Sequence, residues 1–167
     1  MATNTHVFTG LDGTISLAVD TGPEGDAAKA VNDAYSLTPI GRATAVNVQV
    51  VSEVKPFHEL GRRYAAELRA GNINVSGTVG RAHVNGALLK LMIGQPADGQ
   101  TPVDLTLSPT FNLSLHMENS GFPGSFSTVT VHNVKLDGWS FSMPEDDYVL
   151  EQVSFRALWV SVEDKGT

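Results

Sequence analysis

The side chains that could do chemistry in this sequence are few and scattered. His116 and Glu118 lie two residues apart in a stretch that alternates apolar and polar residues, so one strand face would present both to the same metal ion. A metal site on a β-barrel would need a second histidine beside the first and another on a later strand, and that pattern is missing. We therefore predict no metal and no cofactor.

Two clusters of charge have simpler explanations than catalysis. The acidic run 145–147 lacks the spaced ligand loop of a calcium site, so we interpret it as an acidic turn. Arg62, Arg63 and Arg69 form the basic cluster, in a chain whose net charge is -7. Such a chain repels nucleic-acid phosphate on average, and we interpret the cluster as a solvated face or a contact to an acidic neighbouring subunit.

Motifs with a catalytic mechanism are missing from the sequence. There is no glycine-rich phosphate loop, no G-x-S-x-G and no H-E-x-x-H, so we predict that the protein is not an enzyme. The N-terminus has neither a basic nor an apolar signal region, and no apolar run approaches the ~20 residues that span a bilayer. We expect a soluble protein that is not exported by a signal peptide and does not insert into a membrane.

Composition favours one domain made mostly of strands. The chain has 167 residues, no cysteine, 16 Gly and 8 Pro, and it is rich in Val and Thr. Only 17% of the residues are charged, below the usual ~25%, which is compatible with a surface buried in an assembly. We predict a single all-β domain over residues 1–167, a β-sandwich or barrel with one or two short α-helices.

The densest structural signal lies at residues 71–94. Ile73, Val75 and Val79 alternate with polar residues and predict a strand. The following ALLKLMI is apolar nearly all round, which is typical of a buried helix, with Asn85 as its N-cap and Gly94 as its stop.

The first half of the chain gives less uniform signals. We predict a hairpin over 7–20 that turns at Asp12-Gly13, a short helix over 26–35 within a long excursion, and a strand over 43–54. The excursion is either a docking arm or a mobile loop. Over 57–70 the i, i+4, i+8 spacing of Leu60, Tyr64 and Leu68 favours a helix, with an extended chain as the alternative.

The second half reads as a loop and then strands. Proline and glycine predict a loop over 95–109. Strands follow over 111–117, 126–136 and 153–162, and a change of phase in the second of these predicts a β-bulge near residues 132–133.

Three segments together resemble the small tail tube proteins of long-tailed bacteriophages. They are a strand ending in KPFHELGRR, then GNINVSGTVGRAHVNGALLKLMIG, and finally DGWSFSMPEDDYVLEQVSFRALWV. The resemblance covers about residues 40–94 and 126–162, and it lies in the order of elements.

The resemblance implies a structural virion protein with a flanking helix on its β-domain, similar to the inner-tube protein of type VI secretion. It implies homo-hexameric rings, stacked into a tube that DNA passes through, in the tail of a bacteriophage assembled in the host cytoplasm. The implied partners are a tape-measure protein, tail-tip or baseplate proteins, a tail terminator and, in a contractile tail, a sheath protein. In that family the excursion reaches a neighbouring subunit or ring, and its candidates here are Asp26, Val31, Tyr35 and Ile40.

Strands with one apolar and one Ser/Thr/Asn face suit a subunit that buries one side and lines a wet channel with the other. We predict that the polar faces of two strands line the lumen, through Asn112, Ser114, His116, Glu118, Thr128, Thr130 and His132. A net negative charge is compatible with a conduit, because a basic lumen would bind a passing polyanion.

Other functions remain as alternatives. A β-sandwich carbohydrate-binding module would need a platform of exposed aromatic rings, whereas Trp139, Phe141, Phe155 and Trp159 occupy apolar alternating positions and are predicted to be core. A small β-barrel enzyme would need a convergent acid/base or metal set. An all-β domain with another role is the third alternative.

Overall fold

The computed structural model describes residues 6–94, 99 and 108–166. Its elements are a 3-10 turn at Gly10–Asp12, β1 Gly13–Val19, α1 Pro23–Tyr35, β2 Ala43–Phe57, β3 Glu67–Ala82, α2 Ala87–Ile93, β4 Phe111–Glu118, β5 Phe126–Ser142, β6 Leu150–Ala157 and β7 Trp159–Lys165. The strands form one antiparallel sheet that curls over its core, which confirms the predicted all-β class with two short helices.

The long strand β5 belongs to both halves of this curled sheet. Its first half lies between β4 and β7, and β1 continues that side; we call these four strands sheet A. Its second half pairs with β6, which is followed by β3 and β2; we call this group sheet B. The core lies between the two sheets.

A β-bulge at residues 132–133 lets β5 pass from one sheet to the other, as the change of phase predicts. Asn133 has a left-handed backbone (φ 55), and its N–H donates to Oδ1 of Asn112 at 2.9 Å. The extra residue allows Val131 and Val134 to face the core together, although a regular strand would turn one of them outward. The apolar face of β5 is therefore continuous across both sheets.

Both helices cover the core between the sheets. The N-cap of α2 is Gly86 and not Asn85 as predicted, although the Oδ1 atom of Asn85 accepts the N–H of Ala87 at 3.2 Å. Gly94 ends the helix in a left-handed conformation (φ 68), as predicted. The predicted helix over 26–35 is confirmed as α1, which begins earlier because Pro23 fits the first helical turn. The two helices contribute Ala28, Val31, Ala87, Leu88 and Leu91 to the buried core.

A buried ion pair joins β3 to β6. Nε of Arg81 contacts Oε1 of Glu151, and both side chains are at most 2% exposed. The indole N–H of Trp139 donates to Oε2 of Glu151 at 3.0 Å, and Nη2 of Arg81 donates to the backbone oxygen of Asn85 at 3.0 Å. His83 Nδ1 lies 3.3 Å from the same Oε2 atom. A buried charge needs partners of this kind, and here it has them.

The predicted hairpin over 7–20 is wrong, although its second strand is present as β1. Residues 7–9 form no strand with β1; Asp12 accepts the N–H of Thr9 at 2.7 Å instead, and this local bond stabilises a 3-10 turn in place of a hairpin turn.

The predicted loop over 95–109 lies for the most part outside the described residues.

The predicted helix over 57–70 is a hairpin turn. Phe57 pairs with Glu67 across it, and the N–H of Ala66 donates to the oxygen of Phe57 at 2.8 Å. Leu60, Tyr64 and Leu68 share the spacing of a helix face, but they are 106%, 83% and 70% exposed. A short helix needs a surface on which to bury its apolar stripe, and none of the residues that the structure describes forms such a surface under this segment.

Candidate assembly surfaces

The residues predicted to line a lumen share one face of sheet A. The register places Ser114 opposite Thr130 and His116 opposite Thr128. The face carries Asn112, Ser114, His116 and Glu118 from β4 and Thr128, Thr130 and His132 from β5, and Ser16 of β1 and Ser161 of β7 continue it. We call this surface polar face A.

Several polar side chains of face A contact one another. Nδ1 of His116 lies 2.8 Å from Oγ1 of Thr128, and Nε2 of His132 lies 2.8 Å from Oγ of Ser161. The ring of His132 also stacks on Trp159 with centroids 3.7 Å apart. Across the described residues, no three His, Asp or Glu side chains gather into a metal site. The chemistry of this face is that of a polar contact surface.

Glu118 is the carboxylate of polar face A, and it has two neighbouring partners. The N–H of Gly124 donates to its Oε1 at 3.0 Å, and this bond, followed by the neighbouring His116, lowers the pKa of Glu118. Nε2 of His116 is 3.6 Å from Oε2 of Glu118. The carboxylate therefore stabilises the turn after β4 while it remains ionised.

The outer face of sheet B forms a second polar surface, which the lumen prediction did not include. It carries Asn47, Gln49, Asn74, Ser76, Thr78, Ser140, Gln152, Ser154 and Arg156. We call it polar face B, and a shallow groove of about 630 Å³ runs over part of it. Its cations are Arg156, paired with Asp137 at 3.1 Å, and the facing Lys135, paired with Glu24 at 2.9 Å. The alternation of Asn47 and Gln49 with valines is the sequence signal for this surface.

The edges of the two sheets differ. The free edge of β1 is covered by the segment after α1, because Leu17 N–H donates to Thr38 oxygen at 2.8 Å and Ile40 N–H donates to Ile15 oxygen at 3.0 Å. In sheet B, neither β2 nor the second half of β5 (135–142) has a second strand partner in the part of the chain that the structure describes. Sheet B is thus open on both sides, which is a template for pairing with other chains.

Strands β2 and β3 extend far beyond the rest of sheet B. Strand β6 pairs with β3 only from Val75 onward, so residues 67–74 and the facing part of β2 project alone. At about 3.3 Å per residue the projection is roughly 25 Å long. We call residues 50–73 the arm.

The arm is exposed on both faces and is rich in apolar side chains. Val50, Val54, Leu68 and Ile73 continue the core face of the sheet, yet each is more than half exposed. Contiguous exposed apolar surface is typical of protein–protein contacts.

The predicted excursion 20–42 lies on its own domain. Val31 and Ile40 are 2% and 5% exposed within the single chain and belong to its core. Asp26 is exposed, and Tyr35 is half-buried beneath the ammonium group of Lys90, 5.7 Å from the ring centroid. The exposed apolar segment in the first half of the chain is the arm. The prediction of a helix over 57–70 missed it.

The aromatic side chains are divided between core and surface. Phe155 is buried as predicted and Trp139 packs against the core. Phe141 and Trp159 are 42% and 51% exposed, so their prediction as core is wrong. The alternation of Trp159 with Val160 is the signal for this: it places the indole on the same face as the polar Ser161, while Val160 packs against the core.

No protein-family model and no curated protein matches this sequence. Solved structures do match it. A chain of the PVC sheath-tube complex, an extracellular contractile injection system in its extended state, has a TM-score of 0.65 at 10% identity, covering 96% of this chain and 93% of that chain. The SPP1 tail tube has a TM-score of 0.57 at 10% identity, covering 96% and 80%. A type six secretion system protein has a TM-score of 0.51 at 14% identity, covering 96% and 91%.

Two of these structures are a sheath-tube complex and a tail tube, and this chain has the tail tube fold, as the resemblance implies. Other matching chains come from structures described as a sheath/tube terminator, a tube terminating cap and a baseplate. In the part of the chain that is described, neither helix has the length and apolar character needed to cross a bilayer.

Proposed function

We propose that this chain is a structural subunit of a tail tube, in which copies form rings and rings stack around a channel. The fold that it shares with tube proteins supports this role. The observation that carries the proposal is the pair of open edges on sheet B, because a four-stranded sheet with two open edges can be continued by a neighbouring copy on each side.

In the proposed ring, β2 of one copy pairs with the second half of β5 of the next. This contact joins two different edges, so it is heterologous and produces a closed ring when the rotation between copies allows it. Six copies would then form one continuous barrel, in which no edge remains exposed. Closure explains how strands as long as β2 avoid uncontrolled association.

We assign polar face B to the channel, although the sequence-based prediction assigned polar face A. A ring joined through sheet B must turn one face of that sheet inward, and the other face already packs on the protein's own core. Polar face B carries mainly uncharged Asn, Gln, Ser and Thr side chains, and its Arg156 is neutralised by Asp137. DNA would thus pass without phosphate binding strongly to the wall.

The proposed partners follow from the position of a tube in a tail. They are a tape-measure protein inside, a terminator and a tail-tip or baseplate complex at the ends, and a sheath if the tail is contractile. The proposed location is a virion tail assembled in the host cytoplasm, and the proposed role is structural, with no enzymatic activity. Matches to tube, terminator, cap and baseplate structures support this set.

The ring contact is testable by crosslinking, because the chain has no cysteine of its own. Ala45→Cys with Ser140→Cys places thiols on β2 and β5, which are separated within one copy by β3 and β6. Treatment with a short bismaleimide should give a ladder on a denaturing gel that ends at the ring, expected at six subunits. A matched control, Thr14→Cys with Ser161→Cys, places thiols on the outer strands of sheet A. A ladder from the control pair alone would overturn the proposed edge pairing.

The assignment of the channel has its own test in assembled tubes seen by negative-stain electron microscopy. Gln152→Cys on polar face B should react with a small maleimide but resist one attached to a long polyethylene glycol chain. Ser114→Cys on polar face A should react with both. The reverse pattern would restore the channel to the residues predicted from the sequence.

A further inference from the structure

A cleft opens into the core at one side of the domain. Strands β1 and β2 are the two ends of the strand order, and a cleft of about 350 Å³ lies between them. Residues 43–46 of β2 form one wall, and the facing ends of β1 and β4 form the other. The lining includes Ile15, which belongs to the buried core, and Leu115, which packs against it. The cleft is therefore an opening between the two sheets.

The apolar side chains at the mouth of this cleft are in contact with water. Val46 is 36% exposed, and Leu115 and Met117 are only half-buried. Apolar area that stays in water at the end of a core is unfavourable, and a partner that covers it gains the free energy of its burial. The chemistry of the cleft fits an apolar side chain.

The opposite edge of sheet B exposes an aromatic ring. Phe141 lies on the second half of β5 and shares the core face with Trp139, because side chains alternate along a strand. Its ring packs edge-on against His83, with centroids 4.9 Å apart, and parallel to Trp139 at 5.6 Å. It is nevertheless 42% exposed, since β5 is the edge strand at this point. One copy therefore holds the ring in position and leaves part of it open.

The exposed ring and the cleft lie at the same height along the strands. One row of paired residues crosses sheet B from Phe141 through Glu151 and Arg81 to Ala43. Ala43 begins β2, is exposed and lines the cleft. When β2 of the next copy continues the sheet beside β5, its core face lies on the same side as the Phe141 ring. The cleft extends over residues 43–46, so a small stagger between the two strands is tolerated.

We propose that the Phe141 side chain of one copy inserts into the cleft of the next copy in the same ring. There it would complete the core between the two sheets of its neighbour. The occupant is a second copy of this chain, because the proposed edge pairing already brings these two surfaces together. The inference rests on the proposed ring, and it adds an apolar anchor to the backbone hydrogen bonds of the paired edges. Aromatic side chains that fill a pocket carry much of the binding energy of an interface.

Photo-crosslinking tests the position of the ring directly. A chain with p-benzoylphenylalanine in place of Phe141 is assembled with an excess of unmodified copies labelled with nitrogen-15. After illumination, mass spectrometry should show bonds to labelled peptides that contain residues 8–15, 43–46 or 115–117. The same photoreactive residue in place of Ser114, on polar face A, is the control and should not give these bonds. Bonds from position 141 that reach only other segments, or only its own copy, would overturn the inference.

An exchange of side-chain volume between the two surfaces is a second test. Phe141→Ala should raise the protein concentration needed for rings roughly tenfold or more, and Ala43→Phe should also raise it by filling the cleft from its own side. The chain with both substitutions should need less protein than the product of the two single effects, because the aromatic ring lost on one side is replaced on the other. Ser140→Ala, on the opposite face of the same edge, is the control and should leave ring formation unchanged.

The outcomes separate this inference from the function on which it rests. Wild-type rings together with an unchanged concentration for Phe141→Ala would overturn the anchor and leave the ring standing. Single effects that simply multiply in the double variant would overturn it as well. If Phe141→Ala does not fold, as urea unfolding of the dilute protein would show, the photo-crosslink decides the inference. A wild-type protein that forms no rings at any concentration would overturn both proposals.

Discussion

Loss of the Arg81 side chain is expected to destabilise the domain by about 3 to 5 kcal/mol, because it leaves Glu151 as a buried charge without its cation. Both side chains of the pair are at most 2% exposed, so water does not replace the missing partner. The substitution Arg81→Met keeps much of the apolar volume and removes the guanidinium group. It also removes the bonds from Nη2 to the oxygen and Oδ1 of Asn85, which holds the first turn of α2.

The same substitution at an exposed position is the matched control. Arg156 pairs with Asp137 through its Nε atom at 3.1 Å, but its side chain is 77% exposed. Arg156→Met should cost less than about 1 kcal/mol, since exposed ion pairs contribute little. Comparison of the two variants therefore isolates the effect of burial from that of the ion pair itself.

The assay is urea unfolding followed by tryptophan fluorescence, at a protein concentration too low for assembly. Trp139 donates directly to Glu151 and is a local reporter of the site. The loss of about 3 to 5 kcal/mol expected for Arg81→Met corresponds to a decrease of roughly 6 to 20 °C in melting temperature for a domain of this size. Arg81→Met combined with Glu151→Leu should recover most of the stability, because an apolar pair can replace a buried ion pair. Equal losses for Arg81→Met and Arg156→Met would refute the reasoning.

Three further predictions concern the fold. Gly77→Ala should cost about 1 to 3 kcal/mol in urea unfolding, because the new methyl group would overlap the Asn47 oxygen and the Phe155 ring, whereas Gly41→Ala, in open space, should be nearly neutral. Asn133→Val should be about 1 to 2 kcal/mol less stable than Asn133→Gly in the same assay, because only glycine adopts the left-handed bulge without strain. The bonds from Lys135 and then Thr110 lower the folded-state pKa of Glu24, so its carboxylate stabilises the fold above its ordinary pKa and loses this effect as pH falls through the lowered value. Glu24→Gln should therefore flatten the acid loss of unfolding free energy below about pH 4.3, measured by urea titration across pH.

The elements that local periodicity determines could be predicted from the sequence. The alternation over 111–117 contains no interruption, and the structure has β4 there. The phase change in β5 also locates the bulge, because a strand that buries one face must keep its apolar residues on one side. The ends of α2 also have local signals: Asn85 accepts a backbone N–H of the first turn, and Gly94 ends the last turn in a left-handed conformation. Each of these signals is complete within a few residues.

The arm shows why other elements could not be predicted. Leu60, Tyr64 and Leu68 satisfy the spacing of a helix, and local propensity does not exclude it. The extended form is stabilised by pairing between distant residues, such as Val54 with Ala70, and the helical form lacks a surface to pack against. Pro56 is compatible with β2 because that strand lies at an edge, where a missing N–H breaks no ladder.

By itself, the sequence determined an all-β class, the two helices, the position of the bulge and the division of strands such as β4 into an apolar and a polar face. These features depend on the order of side chains along a few turns or pleats. Only the tertiary structure decided which sheet edges remain open. That outcome depends on the path of residues 37–40, which cover β1 and leave β2 free. The open edges are the backbone N–H and C=O groups that folding leaves without a strand partner. Pairing between segments that are distant in sequence has no local signature, so the sequence alone does not show which edges these are.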